Sequence, residues 1–108
     1  MPTTPAEPRR GQVWLADLDK RRPVIVLTRD PLGRYLHSVL IAPVTSTVRG
    51  VSTEVPVGPA DGVRIASVAN LDNLQLVDRA RLVRPVGRAR PETMHAVCDA
   101  VAIAVGCR

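Results

Sequence analysis

Apolar residues recur along this 108-residue chain with two different periods, and the change of period divides it. From Gln12 onward they come in short runs. Gln12-Val13-Trp14-Leu15-Ala16-Asp17-Leu18 is rich in strand formers and gives way to a charged turn, Asp19-Lys20-Arg21-Arg22. Pro23 to Thr28 is almost continuously apolar, as a strand buried on both faces would be. Asp30-Pro31-Leu32-Gly33 carries turn chemistry, and Ser38 to Val44 makes a third strand in which Pro43 marks an edge or a bulge. A polar stretch from Thr45 to Gly50 leads to a fourth strand, Ser52 to Val57, whose Pro56 again suggests an edge. After the loop Gly58-Pro59-Ala60-Asp61-Gly62, Val63 to Val68 reads as a fifth strand and Leu82 to Val86 as a sixth. Short strands with turn signals roughly every ten residues predict a mainly β fold, a small barrel or sandwich.

At Pro91 the spacing changes. Met94, Val97, Cys98, Val101 and Val105 recur at three- and four-residue intervals, the pattern of an amphipathic helix over about Pro91–Val105. Pro91 suits the first helical position and Gly106 a C-terminal stop. Such a helix is about 22 Å long, enough to close one end of a small barrel. Cys98 falls on the apolar stripe and is expected to be a buried packing residue. A chain of this length buries one modest core, so residues 10–108 read as a single domain and residues 1–9 as a flexible N-terminal arm. No apolar run approaches the roughly 18 residues of a membrane span, and the opening residues do not resemble a secretory signal. Cys98 and Cys107 lack the paired spacing of a zinc site. The expected compartment is the cytoplasm.

Charge sharpens the picture. Fifteen basic residues stand against ten acidic ones, and all but Lys20 of the fifteen are arginine. Arginine's planar fork of donors pairs with phosphate and stacks on bases, so a net charge of +5 favours a polyanionic partner. The carboxylates are scattered singly, and His37 and His95 match no ligand spacing, which argues against a metal-dependent nuclease. No cofactor is expected. RNA can be cut without a metal, because its own 2′-hydroxyl is the nucleophile and the protein need supply only proton transfer and charge stabilisation. Two clusters offer the groups: Arg21-Arg22-Pro23, and Thr45-Ser46-Thr47-Val48-Arg49 after the third strand. Adjacent strand ends would let them share one groove. Read singly, the first is most often a solvated turn charge and the second usually a loop whose hydroxyls bond to nearby backbone. His37, after Tyr35, reads as a surface histidine and His95 as structural. Trp14 belongs in the core or at an interface. With Trp14 and Tyr35 the only aromatics, the chain lacks the stacking platform of a plain single-strand-binding module.

At these clusters the sequence resembles the MazF/PemK family of toxin endoribonucleases, and the likeness runs from Arg10 to Gly106. Arg10-Gly11-Gln12-Val13-Trp14-Leu15-Ala16-Asp17-Leu18 resembles the family's opening strand, RGDVWLVDL. Arg22-Pro23-Val24-Ile25-Val26-Leu27 is similar to its RPVVVV, and Ile41-Ala42-Pro43-Val44-Thr45-Ser46 to its VAPITS. Ser67-Val68, Val77-Asp78-Arg79 and Arg81-Leu82 fall at the spacing of a later segment, and Pro91-Glu92-Thr93-Met94 opens the terminal helix. The resemblance implies a small SH3-like barrel with a C-terminal helix, assembled as a homodimer. It implies metal-independent cleavage of single-stranded RNA at a short motif, leaving a 2′,3′-cyclic phosphate and a 5′-hydroxyl. A cognate antitoxin with an acidic flexible tail is the implied protein partner. The family's catalytic pair carries over onto Arg22 and Thr45, with Arg21, Ser46, Thr47, Arg49, Asn73 and Gln75 as the RNA-binding set.

This chain departs from the family pattern at several points. Gln12 replaces an aspartate, the loop between Leu18 and Arg22 is short, and Gln75 stands where an arginine is common. Arg90 occupies the helix cap where a serine is frequent, which removes a capping acceptor worth about 1 kcal/mol and sets a cation at the positive end of the helix dipole. A guanidinium does not readily give up its proton, so an electrostatic role suits Arg22 better than an acid–base one. The alternative function is a non-cleaving toxin of the same fold that binds a protein such as gyrase.

Overall fold

The computed structural model describes residues 7–30 and 37–107. The N-terminal residues 1–6, Pro31-Leu32-Gly33 of the expected turn, and Tyr35 lie outside them. Seven strands precede one helix: β1 (Gln12–Asp17), β2 (Arg21–Val26), β3 (Ser38–Thr45), β4 (Glu54–Val57), β5 (Ser67–Asn70), β6 (Gln75–Asp78), β7 (Leu82–Arg88) and α1 (Pro91–Ala104). All strand pairs are antiparallel, in the order β4-β5-β3-β2-β1-β7, with β6 also on β3. This is the expected mainly β barrel closed by a C-terminal helix. No helix among the described residues is long and apolar enough to cross a membrane.

The central strands are buried on both faces, as the apolar run after Pro23 predicted. Ile25 and Leu27 join Val13, Ala42, Val44 and Val97 in one cluster beneath α1. Their neighbours Val24 and Val26 join Trp14, Val39 and Ile41 in a second cluster on the opposite face. Trp14 is a core residue whose Nε1 donates to Gln12 Oε1 at 3.0 Å. The same oxygen accepts from Arg9 N at 2.8 Å, so Gln12 anchors the start of β1.

Four expectations are corrected. Pro43 is not at an edge, because β3 is central. It lies between the residues that pair with β6 (Ser38–Ile41) and those that pair with β5 (Val44–Thr45), where a missing N–H interrupts neither ladder. Pro56, by contrast, does sit on the edge strand β4. Residues 63–66 are irregular and β5 begins at Ser67. Gly62, at φ +86°, turns the chain, and Ser67 Oγ donates to Ile65 O at 2.7 Å. β6 was not anticipated: of its four residues only Val77 is buried, and Leu76 is largely exposed, so no alternation marks it. Finally, α1 buries Thr93, Val97 and Ala100, a line rotated from the predicted stripe. Cys98 is therefore exposed, accepting a hydrogen bond from Arg10 Nη2 at 3.2 Å. Val105, the C-cap residue, is exposed as well.

The helix start is secured from outside the helix. Asp61, fully buried, accepts from Arg90 N at 2.9 Å, Thr93 Oγ1 at 2.8 Å and Arg90 Nε at 3.3 Å. This carboxylate accepts from the N-cap backbone and sets a negative charge at the positive end of the helix dipole, which offsets the cation at Arg90. Burial alone would raise the Asp61 pKa. Hydrogen bonds from the Arg90 backbone, Thr93, the Arg90 side chain and the Gly58 backbone bring it below the ordinary carboxylate value. A glycine contact closes the same corner. A Cβ on Gly87 would lie 2.6 Å from Gly62 Cα and 2.7 Å from Asp61 O, so the turn after β4 can lie against β7 only without side chains there.

Candidate functional site

β2 begins at Arg21, so the turn is shorter than the sequence suggested, and strand alternation separates the two arginines. Arg21 pairs across the ladder with Asp17, Nε to Oδ1 at 2.8 Å, on an exposed surface. That hydrogen bond holds the Asp17 carboxyl below its usual value. Arg22 turns to the other face. The β2–β3 register runs Val26↔Ile41, Ile25↔Ala42, Val24↔Pro43. Continued for two more residues, it sets Arg22 opposite Thr45, the last residue of β3. Sheet register thus joins two clusters that the sequence separates.

They share a groove of about 420 Å³. Leu15, Pro23, Val44, Val63, Ile65 and Val86 are its apolar lining. Around them stand the cations Lys20, Arg22, Arg64 and Arg84 and the hydroxyls of Thr45, Ser46 and Ser67, and no carboxylate lines it. A smaller hollow of about 260 Å³ adjoins, bordered by Asp19, Pro43, Asn73 and Gln75, with Arg22 common to both. Gln75 reaches this hollow because β6 pairs with β3, Gln75 opposite Ile41.

Arg22 is only partly engaged. Its Nη2 lies 3.2 Å from Asp19 Oδ2, and Asp19 is 76% exposed. Its Nε is buried and meets no acceptor among the described residues. Thr45 Oγ1 accepts from Thr47 N at 3.1 Å, which leaves its own O–H to donate. The loop beyond is held by Glu54, whose carboxylate accepts from the backbone of Arg49, Gly50 and Val51 at 3.0, 2.8 and 3.4 Å. Burial pushes the Glu54 pKa up, but those N–H groups and the nearby Arg49 charge bring it below normal.

Of the residues singled out from sequence, the fold gathers Arg22, Thr45 and Ser46 in the groove and Asn73 and Gln75 in the adjoining hollow. Arg21, Thr47 and Arg49 line neither; the Arg49 side chain lies out in solvent with Nε 3.9 Å from Glu54. His37 and His95 are exposed and also outside both hollows. Sequence reasoning missed Lys20, Arg64, Ser67 and Arg84. Arg64 was hidden inside a supposed strand, and Arg84 carried only the general signal of arginine excess. Chemically, a groove lined by cations and hydroxyls suits a phosphodiester: it offers charge and hydrogen-bond donors, and the nearest carboxylate, Asp19, stands in the adjoining hollow and is already paired with Arg22. Among the described residues no three His, Cys, Asp or Glu side chains are grouped to hold a metal ion.

Comparison with known proteins gives this geometry its context. Residues 9–105 match the family described as PemK-like, MazF-like toxin of type II toxin–antitoxin system. The chain belongs to this family. A protein named probable endoribonuclease MazF5 of Mycobacterium tuberculosis is 41% identical to this MazF-like toxin, over 94% of this chain and 96% of that one. The solved Mycobacterium tuberculosis toxin MazF-mt6 matches with a TM-score of 0.84 at 38% identity, covering 88% of this chain and 96% of its own. A mycobacterial endoribonuclease in complex with its cognate antitoxin matches with a TM-score of 0.84 at 30% identity, covering 94% and 97%.

Proposed function

We propose that this endoribonuclease toxin cuts single-stranded RNA by transesterification in the groove between the ends of β2 and β3. The 2′-oxygen loses its proton and bonds to the adjacent phosphorus. The 5′-oxygen leaves and gains a proton, giving 2′,3′-cyclic phosphate and 5′-hydroxyl ends. Arg22 stabilises the charge that builds on the phosphorane, and Thr45 donates to a non-bridging oxygen and orients the phosphate. Ser46, Asn73 and Gln75 contact the flanking nucleotides. The single observation that carries this is Arg22: its buried Nε meets no acceptor among the described residues, and it lines the same groove as Thr45, where those residues contribute no carboxylate. The route needs no metal, because the attacking group is the RNA's own 2′-hydroxyl.

As a toxin of this class the protein acts in the cytoplasm as a homodimer, built as one domain behind a short N-terminal arm. A cognate antitoxin restrains it by laying an acidic segment along the same cationic groove, which matches that segment in charge. The test is incubation of the purified protein with a long single-stranded RNA in excess EDTA, followed by mapping of cut sites and end groups. Discrete cuts with cyclic-phosphate ends are expected. Intact RNA from folded protein would overturn the proposal and favour a toxin that acts by binding another protein.

A further inference from the structure

The groove has a second cationic wall that the cleavage step does not use. Leu15 of β1 pairs with Pro23 on one side and with Arg84 of β7 on the other, so Arg84 ends a row of residues running across the groove from the Arg22 strand. Arg64, in the irregular segment after Gly62, lines the same groove. Many of the other arginines are engaged: Arg10 at Leu27 O, Arg21 at Asp17, Arg49 at Glu54 and Arg90 at Asp61. The exposed side chains of Arg64 and Arg84 have no ion-pair or hydrogen-bond partner among the described residues. Both line one groove, so a bound anion meets two cations there with no existing partner to displace.

Arg84 also borders a third hollow, of about 400 Å³, with Trp14, Val83 and Pro85 in its walls. It therefore joins this hollow to the groove, as Arg22 joins the groove to the Asn73–Gln75 hollow. The three hollows thus meet at two arginines, with β7 between the groove and the Trp14–Pro85 hollow. A single-stranded nucleic acid fits that alternation, its phosphates at the cations and its nucleosides in the hollows. We propose that Arg84, aided by Arg64, is a positioning clamp for backbone phosphate beyond the scissile one, and that it carries the strand over β7 into the Trp14–Pro85 hollow. This rests on the groove being the RNA site.

Binding can be measured apart from cleavage, using random-sequence 2′-O-methyl RNA pools of roughly four and roughly eight nucleotides. Such RNA lacks the free 2′-hydroxyl and is not cut. By fluorescence anisotropy the longer pool should bind the native protein about tenfold more tightly than the shorter. Arg84→Gln should erase most of that gain and lower the salt slope of log Kd by about 0.7, the value for one phosphate contact on a single strand. Arg84→Lys, which keeps the charge, should restore the slope. Arg64→Gln should weaken the longer pool about threefold and the shorter one less, trimming the length gain without erasing it. Native-like length gain and salt slope in Arg84→Gln, with circular dichroism showing a retained fold, would overturn the clamp. The cleavage assay in EDTA separates the two proposals. Length-dependent binding lost in Arg84→Gln but no cutting by native protein keeps the clamp and sinks the ribonuclease mechanism. Cutting with length-independent binding does the reverse.

Discussion

Two arginine–aspartate pairs in this chain have almost the same separation and opposite surroundings. Arg90 meets Asp61 at 3.3 Å, and Arg22 meets Asp19 at 3.2 Å. Asp61 is sealed from water and also accepts the Arg90 backbone N–H and the Thr93 hydroxyl. Asp19 stands in solvent with one contact to Arg22, whose buried Nε meets no acceptor among the described residues. The first pair is a joint that ties the turn after β4 to the start of α1. The second leaves donor capacity over, which is what a substrate-binding arginine must have. Burial and the count of satisfied donors, not the distance between the charges, separate a lock from a site.

That contrast can be broken at either pair. The largest effect is expected from Arg22→Ala, which should lower kcat by about 10²–10³-fold while melting as the native protein does. A folded variant that still cuts at the native rate would remove Arg22 from the mechanism. Asp61→Ala should do the opposite, leaving Arg22 and Thr45 in place but costing about 3 kcal/mol of stability in urea titration, since the Arg90 N–H and Thr93 hydroxyl lose their buried acceptor. Thr45→Ala should reduce kcat by about thirtyfold, less than Arg22→Ala because one neutral donor is lost rather than a charge.

Acid should separate the pairs further. The folded Asp61 pKa lies below its unfolded value, so its stabilisation is complete above the unfolded value, about 3.9. It fades as pH falls through the lower, folded value. Melting temperatures followed downward from pH 5 should show this loss in the native protein, and Asp61→Asn should flatten that part of the profile. The smallest effect belongs to Asp19→Ala, which should change stability by no more than about 0.5 kcal/mol, as expected for an exposed pair. A loss as large as that of Asp61→Ala would erase the distinction drawn between the two.

Much of the fold was legible because its strands announce themselves. The runs at Val13, Val24 and Val39 are apolar enough to be buried on both faces, and Pro91 and Gly106 bracket the helix. β6 was illegible because Gln75-Leu76-Val77-Asp78 buries one side chain and owes its existence to β3. Residues 63–66 misled because Val63 and Ile65 alternate like a strand, although Ile65 points outward and is largely exposed. Cys98 and Val97 are equally apolar neighbours; only the way α1 lies on the sheet decides which is buried. In the site, Arg22 and Thr45 stood out through family motifs, whereas Arg64 and Arg84 belong to no motif and were drawn into the groove by long-range pairing.

By itself the sequence determined the period of each segment, the excess of cations and the side chains available for phosphate chemistry. These are local properties, set by residue type and spacing. Tertiary structure alone decided that Arg22 faces Thr45 while Arg21 faces Asp17, that Asp61 caps a helix it does not belong to, and that Arg84 shares a groove with both catalytic candidates. Each depends on strand register or on packing between distant segments, and moving a strand by one residue would turn every one of its side chains to the other face.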